Sequence, residues 1–196
     1  MRDAAATVLI LAGGRGKRYQ ASGGQGSKLD AVLHGKSVLQ HTLDAVHASG
    51  LPFHLEAGPH PGMGDSIAAA VRATLDANGW LILPGDLPLI QSDTLRRIAQ
   101  AMHTHAVVLP VFQGKRGHPV GFSARFRSAL LDLQGSDGAR RIIQSNIATE
   151  WTVNDLGCVA DIDTVDDLAA AKAILENQLI SIGHEDAGAS HTPKVS

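Results

Sequence analysis

Thr7-Val8-Leu9-Ile10-Leu11-Ala12-Gly13-Gly14-Arg15-Gly16-Lys17-Arg18 decides the reading of this chain, because an apolar, β-branched run passes directly into a glycine loop carrying several cations. The run predicts a strand over 7–11. The glycines let the backbone take positive φ and turn several N–H groups toward one anion, while Arg15, Lys17, Arg18 and the downstream Lys28 surround it with charge. This is a phosphate-binding loop, and its spacing sets aside two other kinds. A Walker A loop needs a glycine five positions before Gly35-Lys36-Ser37, where Asp30 stands. A dinucleotide fingerprint needs a glycine where Tyr19 stands, which argues against a nicotinamide or flavin site.

Outward from this loop, apolar β-rich runs alternate with helical periodicity. Ser37 and Gln40 form a capping box for a helix over about 38–48, with Val38, Leu39, Thr42, Leu43 and Val46 on one stripe and Gly50 as its stop. A strand near 53–57 follows, then a helix opened by His60-Pro61-Gly62-Met63-Gly64 and ended by Gly79, then a strand over 80–83. Ser92 is expected to cap the next helix, ahead of strands at 106–111 and 120–122. Short helices near 124–131 and 138–144, a strand at 149–153 and a helix from Thr164 to about Leu179 complete the series. Alternation of this kind predicts an α/β fold with a mostly parallel, Rossmann-like central sheet. Residues 1–180 read as one domain. The Gly-, Ser-, His- and Pro-containing stretch from 181 to 196 lacks periodicity and is expected to be a disordered tail. No internal repeat is evident.

Composition narrows the function classes. A chain of 196 residues with 44% hydrophobic and 18% charged residues is globular and large enough for one substantial core. No apolar run approaches the roughly 20 residues of a membrane span, and Met1 to Ala6 leads straight into a strand without a secretion-signal pattern, so the expectation is a cytoplasmic protein. A net charge of −2 lacks the basic excess of a nucleic-acid binder. The single cysteine, Cys158, reads as a small buried hydrophobe.

In an open parallel sheet, ligands bind beyond the carboxyl ends of the strands. There the glycine loop meets a second punctuated loop, Pro84-Gly85-Asp86-Leu87-Pro88. Asp86 has two readings here: a ligand to Mg2+ bridging carboxylate and phosphate oxygens, or a turn former in a Gly-Asp-x-Pro sequence. In the acidic run Asp161-Ile162-Asp163-Thr164-Val165-Asp166-Asp167, residues from Asp163 onward suit helix capping and the helix dipole. Asp161 precedes that turn and is the second metal candidate. His118, in Gly117-His118-Pro119-Val120, is the histidine in a conspicuous turn, where a solvated or backbone-bonded ring is the ordinary explanation. No Ser-His-Asp or Cys-His arrangement is evident. A phosphate nucleophile needs no general base near neutral pH, so positioning and charge neutralisation suffice.

The set Leu11-Ala12-Gly13-Gly14-x-Gly16-x-Arg18, Lys28-Leu29, Gly35 to Leu39, Pro84 to Pro88 and Asp161 to Thr164 resembles the nucleotidyltransferase superfamily that makes activated sugars and molybdenum cofactor dinucleotides. Gly62-Met63-Gly64-Asp65-Ser66, Arg116 to Val120 and Gly135-Ser136-Asp137-Gly138-Ala139-Arg140 resemble the molybdenum cofactor cytidylyltransferase branch. The resemblance implies a three-layer sandwich of the nucleotide-diphospho-sugar transferase type. It implies that Leu11, Ala12, Gly13, Gly14, Gly16 and Gly85 hold the nucleotide with Arg18 and Lys28, and that Arg18, Lys28 and Asp86 are the catalytic set. Asp86 and Asp161 would hold Mg2+, and Ser66, Gly117, His118 and Arg140 would face the pterin cofactor.

The implied reaction is attack by the terminal phosphate of the molybdenum cofactor on the α-phosphorus of CTP, releasing pyrophosphate. A molybdoenzyme or its accessory chaperone would receive the product. The loop reads Leu-Ala-Gly-Gly as in the guanylyltransferase relatives, whereas cytidylyltransferases usually carry Ala at the position of Gly13, so GTP is the alternative nucleotide. The glycine-rich segment from Tyr19 to Ser27 suggests a mobile flap over the triphosphate. A non-catalytic carrier of the pterin cofactor is the rival from another class, and it has no use for the Arg18, Lys28 and Asp86 set.

Overall fold

The structure, a computed structural model, describes residues 5–14 and 16–187, with side chains described up to 177. Residues 1–4, Arg15 and residues 188–196, which make up most of the expected disordered tail, lie outside the described residues. In chain order the elements are β1 (Thr7–Leu11), α1 (Lys17–Ala21), β2 (Val32–Leu33), β3 (Lys36–Ser37), α2 (Val38–Ser49), β4 (Phe53–Glu56), α3 (Met63–Arg72) and β5 (Gly79–Pro84). They continue with α4 (Ser92–Ala101), β6 (Val107–Phe112), β7 (Lys115–Arg116), β8 (Val120–Ser123), α5 (Arg127–Leu131), α6 (Arg140–Gln144), β9 (Thr149–Thr152) and α7 (Val165–Ala187).

The main sheet has the order β4-β1-β5-β8-β6-β7, with β9 on β6. β1 runs parallel to both β4 and β5, and β9 parallel to β6. Because β8 is antiparallel to both β5 and β6, those two point the same way, and only β8 and the two-residue β7 are reversed. This is the mostly parallel sheet expected from the alternation of elements.

Side chains in these strands alternate between two buried faces, so the strands read as continuous apolar runs. Leu9, Trp80, Ile82, Val107 and Leu109 face α3, α5 and α6 through Ile67, Val71, Leu130 and Ile142. Val8, Ile10, Leu81, Leu83 and Val108 face α2 and α4 through Val46, Leu95 and Ile98. Truncating one such fully buried side chain to Ala costs about 3 kcal/mol, and the two cores together fix the strand order. A third cluster of Tyr19, Leu29, Leu33, Val38, Ile162 and Ala171 packs the segment after the glycine loop against α7.

Several boundaries differ from the sequence reading for identifiable reasons. α3 stops at Arg72, short of Gly79, because Thr74 Oγ1 donates back to the Ala70 carbonyl and accepts the indole N–H of Trp80 at 3.0 Å. Ser92 is the first residue of α4 and does not cap it. Asp155, brought in from 61 residues downstream of Thr94, accepts the Gln91 N–H and the Thr94 hydroxyl. α7 continues past Leu179 to Ala187, since no proline interrupts its backbone hydrogen bonding before Pro193. The segment 19–27 folds as the end of α1 followed by turns that are tied down. The Tyr19 ring covers Gly24 so closely that a Cβ there would lie 2.2 Å from it, Gln20 Nε2 donates to Gly26 O, and Ser22 Oγ accepts the Val165 N–H.

Candidate functional site

The carboxyl ends of β1 and β5 open into a cleft of about 740 Å3. Backbone hydrogen bonds set its floor. Gly85 N donates to Leu11 O, which couples the two loops, and Ile162 N donates to Asp86 O, which draws the acidic run beside them. Thr42 Oγ1 in α2 donates to the Gly85 carbonyl from below.

Of the residues singled out in the sequence, Leu11, Gly13, Gly14, Gly16, Arg18, Lys28, Ser66, Asp86, Gly117, His118 and Asp161 line this cleft. Ala12 and Gly85 form the backbone beneath it, with Ala12 N donating to Glu56 O. Arg140 is the exception. It stands exposed at the start of α6 and is absent from the cleft wall, because its segment packs behind the first turn of α3, where Gly64 N donates to Gly135 O and Asp65 accepts the Gly135 N–H. The motif that includes Arg140 buttresses the helix carrying Ser66.

Two glycines of the loop have distinct physical duties. Gly16 takes φ +57 at the start of α1, and Lys28 packs beside it. Gly13 passes so close to the segment after β4 that a Cβ would lie 2.7 Å from the Gly58 carbonyl oxygen. Gly58 is itself tied to Glu56, whose carboxylate accepts its N–H and contacts His60 at 3.0 Å and His54 at 3.4 Å. Burial opposes ionisation of Glu56, but His60, the Gly58 N–H and His54 outweigh it and hold the carboxyl below its ordinary value.

Lys28 is the electrostatic centre. Its Nζ lies 2.6 Å from Asp86 Oδ2 and 2.8 Å from Asp163 Oδ1, and Arg18 pairs with the other oxygen of Asp163. Burial pushes the lysine pKa down, while the Asp86 charge and the hydrogen bonds to Asp163 and Asp86 raise it further, so the ammonium is held above its usual value. Asp161 behaves in the opposite way: desolvation raises its carboxyl pKa, and the Asp163 and Asp86 charges add to the rise. Desolvation lowers the pKa of the buried His118, against the pull of Asp86 and the Ile82 carbonyl. Cys158, pushed up to about 11 by burial and the Asp155 charge, stays a thiol, in keeping with a structural role.

Asp163, His60, Lys115 and Arg116 also line the cleft and were not singled out as site residues from sequence. By sequence Asp163 suits the capping of α7, but Asp167 and Thr164 make the capping contacts. The Asp167 carboxylate accepts both the Asp163 and the Thr164 N–H, leaving the Asp163 side chain to face Lys28. His60 stands in a His-Pro-Gly turn as conspicuous as the one holding His118, and that turn was its signal.

Asp86 Oδ1 is buried and has no hydrogen-bond partner among the described residues. A carboxylate oxygen in that state, with a second carboxylate nearby at Asp161, suits a hard divalent cation. Among the described residues no group of three or more His, Cys, Asp or Glu could hold an ion alone, so an ion here would share its shell with phosphate and water. No helix among the described residues is long and apolar enough to cross a membrane.

Residues 44–150 match the MobA-like NTP transferase domain, a segment covering more than half of the chain and beginning after the glycine loop. Among curated relatives, the bifunctional protein GlmU of Bordetella petrii is 36% identical over 133 residues, which is 52% of this chain and 27% of that protein. The GlmU of Koribacter versatilis is 28% identical over 72% of this chain and 34% of its own length, so the chain spans about a third of these relatives. Among solved structures, Rv0371c of Mycobacterium tuberculosis H37Rv superposes with a TM-score of 0.75 at 22% identity, covering 88% of this chain and all of that one. The molybdopterin-guanine dinucleotide biosynthesis protein A of Archaeoglobus fulgidus superposes at 0.63 and 17% identity, covering 87% and 99% of the two chains. At these identities the structural likeness is one of fold.

Proposed function

We propose, from the premise that the chain belongs to the MobA-like NTP transferase domain family, that it transfers CMP from CTP to the terminal phosphate of a molybdenum cofactor and releases pyrophosphate. The observation that carries the reading is the meeting of the glycine loop, Lys28 and Asp86 at the carboxyl ends of β1 and β5, with one Asp86 oxygen buried and unpartnered among the described residues.

In this reading the backbone of Gly13, Gly14 and Gly16 takes the triphosphate, with Leu11, Ala12 and Gly85 shaping the floor. Arg18 is the exposed cation, lining the cleft from α1 with its side chain 78% exposed and paired with Asp163. Lys28 is the fixed one, at 12% exposure and held between two carboxylates. A bound triphosphate competes with Asp163 for both, and each contact made to the departing pyrophosphate favours the transition state over the ground state. Asp86 and Asp161 would hold Mg2+, which when bound neutralises charge on the phosphates and fixes their geometry. Ser66, Gly117 and His118 form the opposite wall, toward the accepting phosphate. Gly117 is required there by backbone packing, since a Cβ would fall 2.2 Å from the Cys158 carbonyl oxygen. A molybdoenzyme or its chaperone would take the product.

GTP is the second reading, favoured by the Gly13-Gly14 pair, although the close approach of Gly58 gives Gly13 a packing reason independent of the base. Transfer of α-labelled nucleotide to the cofactor tests both. The expected result is labelled cofactor from CTP with Mg2+, and none from the Asp86→Ala protein. Label incorporated equally by that variant would remove Asp86 from the mechanism. Binding of the cofactor without transfer from either nucleotide would favour a carrier.

A further inference from the structure

Glu56 closes β4 with its side chain 15% exposed, and it takes no part in the proposed transfer. A carboxylate that far out of water costs free energy unless donors surround it. Its own neighbours in sequence supply them. Gly58 N donates to Oε1 at 3.1 Å, His60 Nε2 lies 3.0 Å from the same oxygen, and His54 Nε2 approaches Oε2 at 3.4 Å. An ionised carboxylate can only accept, so the imidazole nitrogen facing Oε1 carries a proton. Burial opposes ionisation of Glu56, and the contacts from His60, Gly58 and His54 overcome it.

This clasp sits directly behind the glycine loop. Glu56 O accepts the Ala12 N–H at 2.8 Å, so the backbone carrying the carboxylate is registered on the strand that leads into the loop. Two residues on, the Gly58 carbonyl stands against Gly13 with no room for a Cβ between them. Gly58 is equally confined on its other side, where a Cβ would sit 3.0 Å from Glu56 Oε1 and 3.2 Å from His60 Nε2. His60 then lines the cleft. The segment that follows is held independently: Gly64 N donates to Gly135 O at 2.8 Å and Gly135 N donates to Asp65 at 2.9 Å, which fixes the start of α3 from the far side. A shift in the Glu56 turn therefore reaches the glycine loop before it reaches the wall that carries Ser66.

We propose that Glu56 is a positioning residue for the nucleotide half of the cleft: its carboxylate fixes the Gly58 carbonyl against Gly13, and with it the loop backbone that receives the phosphates, while orienting His60 on the adjoining wall. This deepens the reading of the cleft as a transferase site and rests on it. Donors already ordered before the ligand arrives bind an anion without the cost of ordering themselves. Loosening Gly13 thus weakens phosphate binding even though Glu56 acts only through Gly58 and His60.

The test is calorimetric titration of CTP with Mg2+ and, separately, of inorganic pyrophosphate with Mg2+, alongside binding of isolated molybdenum cofactor followed by pterin fluorescence. The proteins are the wild type, Glu56→Gln, Glu56→Ala, Gly13→Ala and the double variant Glu56→Ala with Gly13→Ala. Gln keeps one acceptor oxygen for the Gly58 N–H and loses the charge, whereas Ala loses both. The expected result is affinity for CTP and pyrophosphate reduced about tenfold in Glu56→Ala and about threefold in Glu56→Gln, with cofactor affinity unchanged. Because both substitutions act through Gly58, the double variant should lose less than the product of the single losses, by about threefold or more. Melting curves identify any variant that fails to fold, and Glu56→Gln, the smaller change, then carries the test. Three results would overturn the proposal: unchanged CTP and pyrophosphate affinity in a folded Glu56 variant, an equal loss of cofactor affinity, which would make Glu56 a general support of the fold, or losses that simply multiply in the double variant. A wild type that binds CTP and pyrophosphate but transfers no nucleotide would strike the transferase reading and leave the role of Glu56 standing, and one that binds neither would overturn both.

Discussion

Lys28 Nζ lies 2.6 Å from Asp86 Oδ2, a contact between a cation placed by the segment after the glycine loop and a carboxylate placed by the end of β5. The same Nζ donates to Asp163 at 2.8 Å, so one ammonium joins three separate parts of the chain at the mouth of the cleft. The arrangement supports the fold and holds charge ready for a ligand.

Replacing Lys28 with Met leaves Asp86 and Asp163 facing each other without their shared cation. Removing one partner of a buried pair costs about 3–5 kcal/mol, and the slight exposure of Lys28 and Asp86 places the loss toward the lower end of that range, to be read from urea denaturation at pH 7. Pairing raises the Lys28 pKa in the folded state. Its stabilisation is therefore fully present below the unfolded value, about 10.4, and is lost as pH climbs through the folded one. The difference between wild type and variant should be constant near neutrality and shrink in strong alkali. A difference that grows with alkalinity would mean the pairing is not what stabilises.

Asp161 has its pKa raised, first by desolvation and then by its acidic neighbours. A proton and a cation compete for such a group, so Mg2+ or Mn2+ affinity should increase as pH rises from about 4 toward neutrality, with proton release on binding. Calorimetry in buffers of different ionisation enthalpy measures that release. In Asp161→Asn the pH dependence should flatten and affinity should fall. An unchanged profile would take Asp161 out of the cation site.

Gly13→Ala forces a methyl group to within 2.7 Å of the Gly58 carbonyl oxygen unless the backbone moves. Overpacking of this kind costs about 1–3 kcal/mol, and the movement would disturb the phosphate loop directly. The expected result is a lower melting temperature and weaker binding of CTP and GTP alike. A clean exchange of base preference at full stability would show instead that Gly13 chooses the base.

Arg140→Ala should leave turnover within roughly twofold and the melting temperature nearly unchanged, as for other exposed substitutions away from special contacts. The resemblance to a known motif placed this arginine against the cofactor, and the structure puts it outside the cleft wall. A large rise in the KM for cofactor would restore the motif-based assignment.

The strands were readable because β1, β5 and β6 bury both faces and show as unbroken apolar runs, and α2 because Ser37 caps it in sequence as in space, accepting the Gln40 N–H. Most of the cleft was readable because its residues lie in loops punctuated by glycine and proline. What escaped depends on contacts between distant segments. Asp163 meets Lys28 across 135 residues, and Asp155 caps α4 from beyond β9. Helix α1 has five residues and a left-handed glycine in place of a capping side chain, so no local signal announced it. The two-residue strands β2, β3 and β7 are too short to show any alternation.

The most direct test of the account is pyrophosphate release from CTP and GTP in parallel, with Mg2+ and freshly prepared molybdenum cofactor, by the wild type and by Asp86→Ala. The account predicts release from CTP that requires cofactor and is abolished by Asp86→Ala while the fold is retained. Release from GTP alone would contradict the choice of nucleotide, and no release from either would contradict the transferase itself.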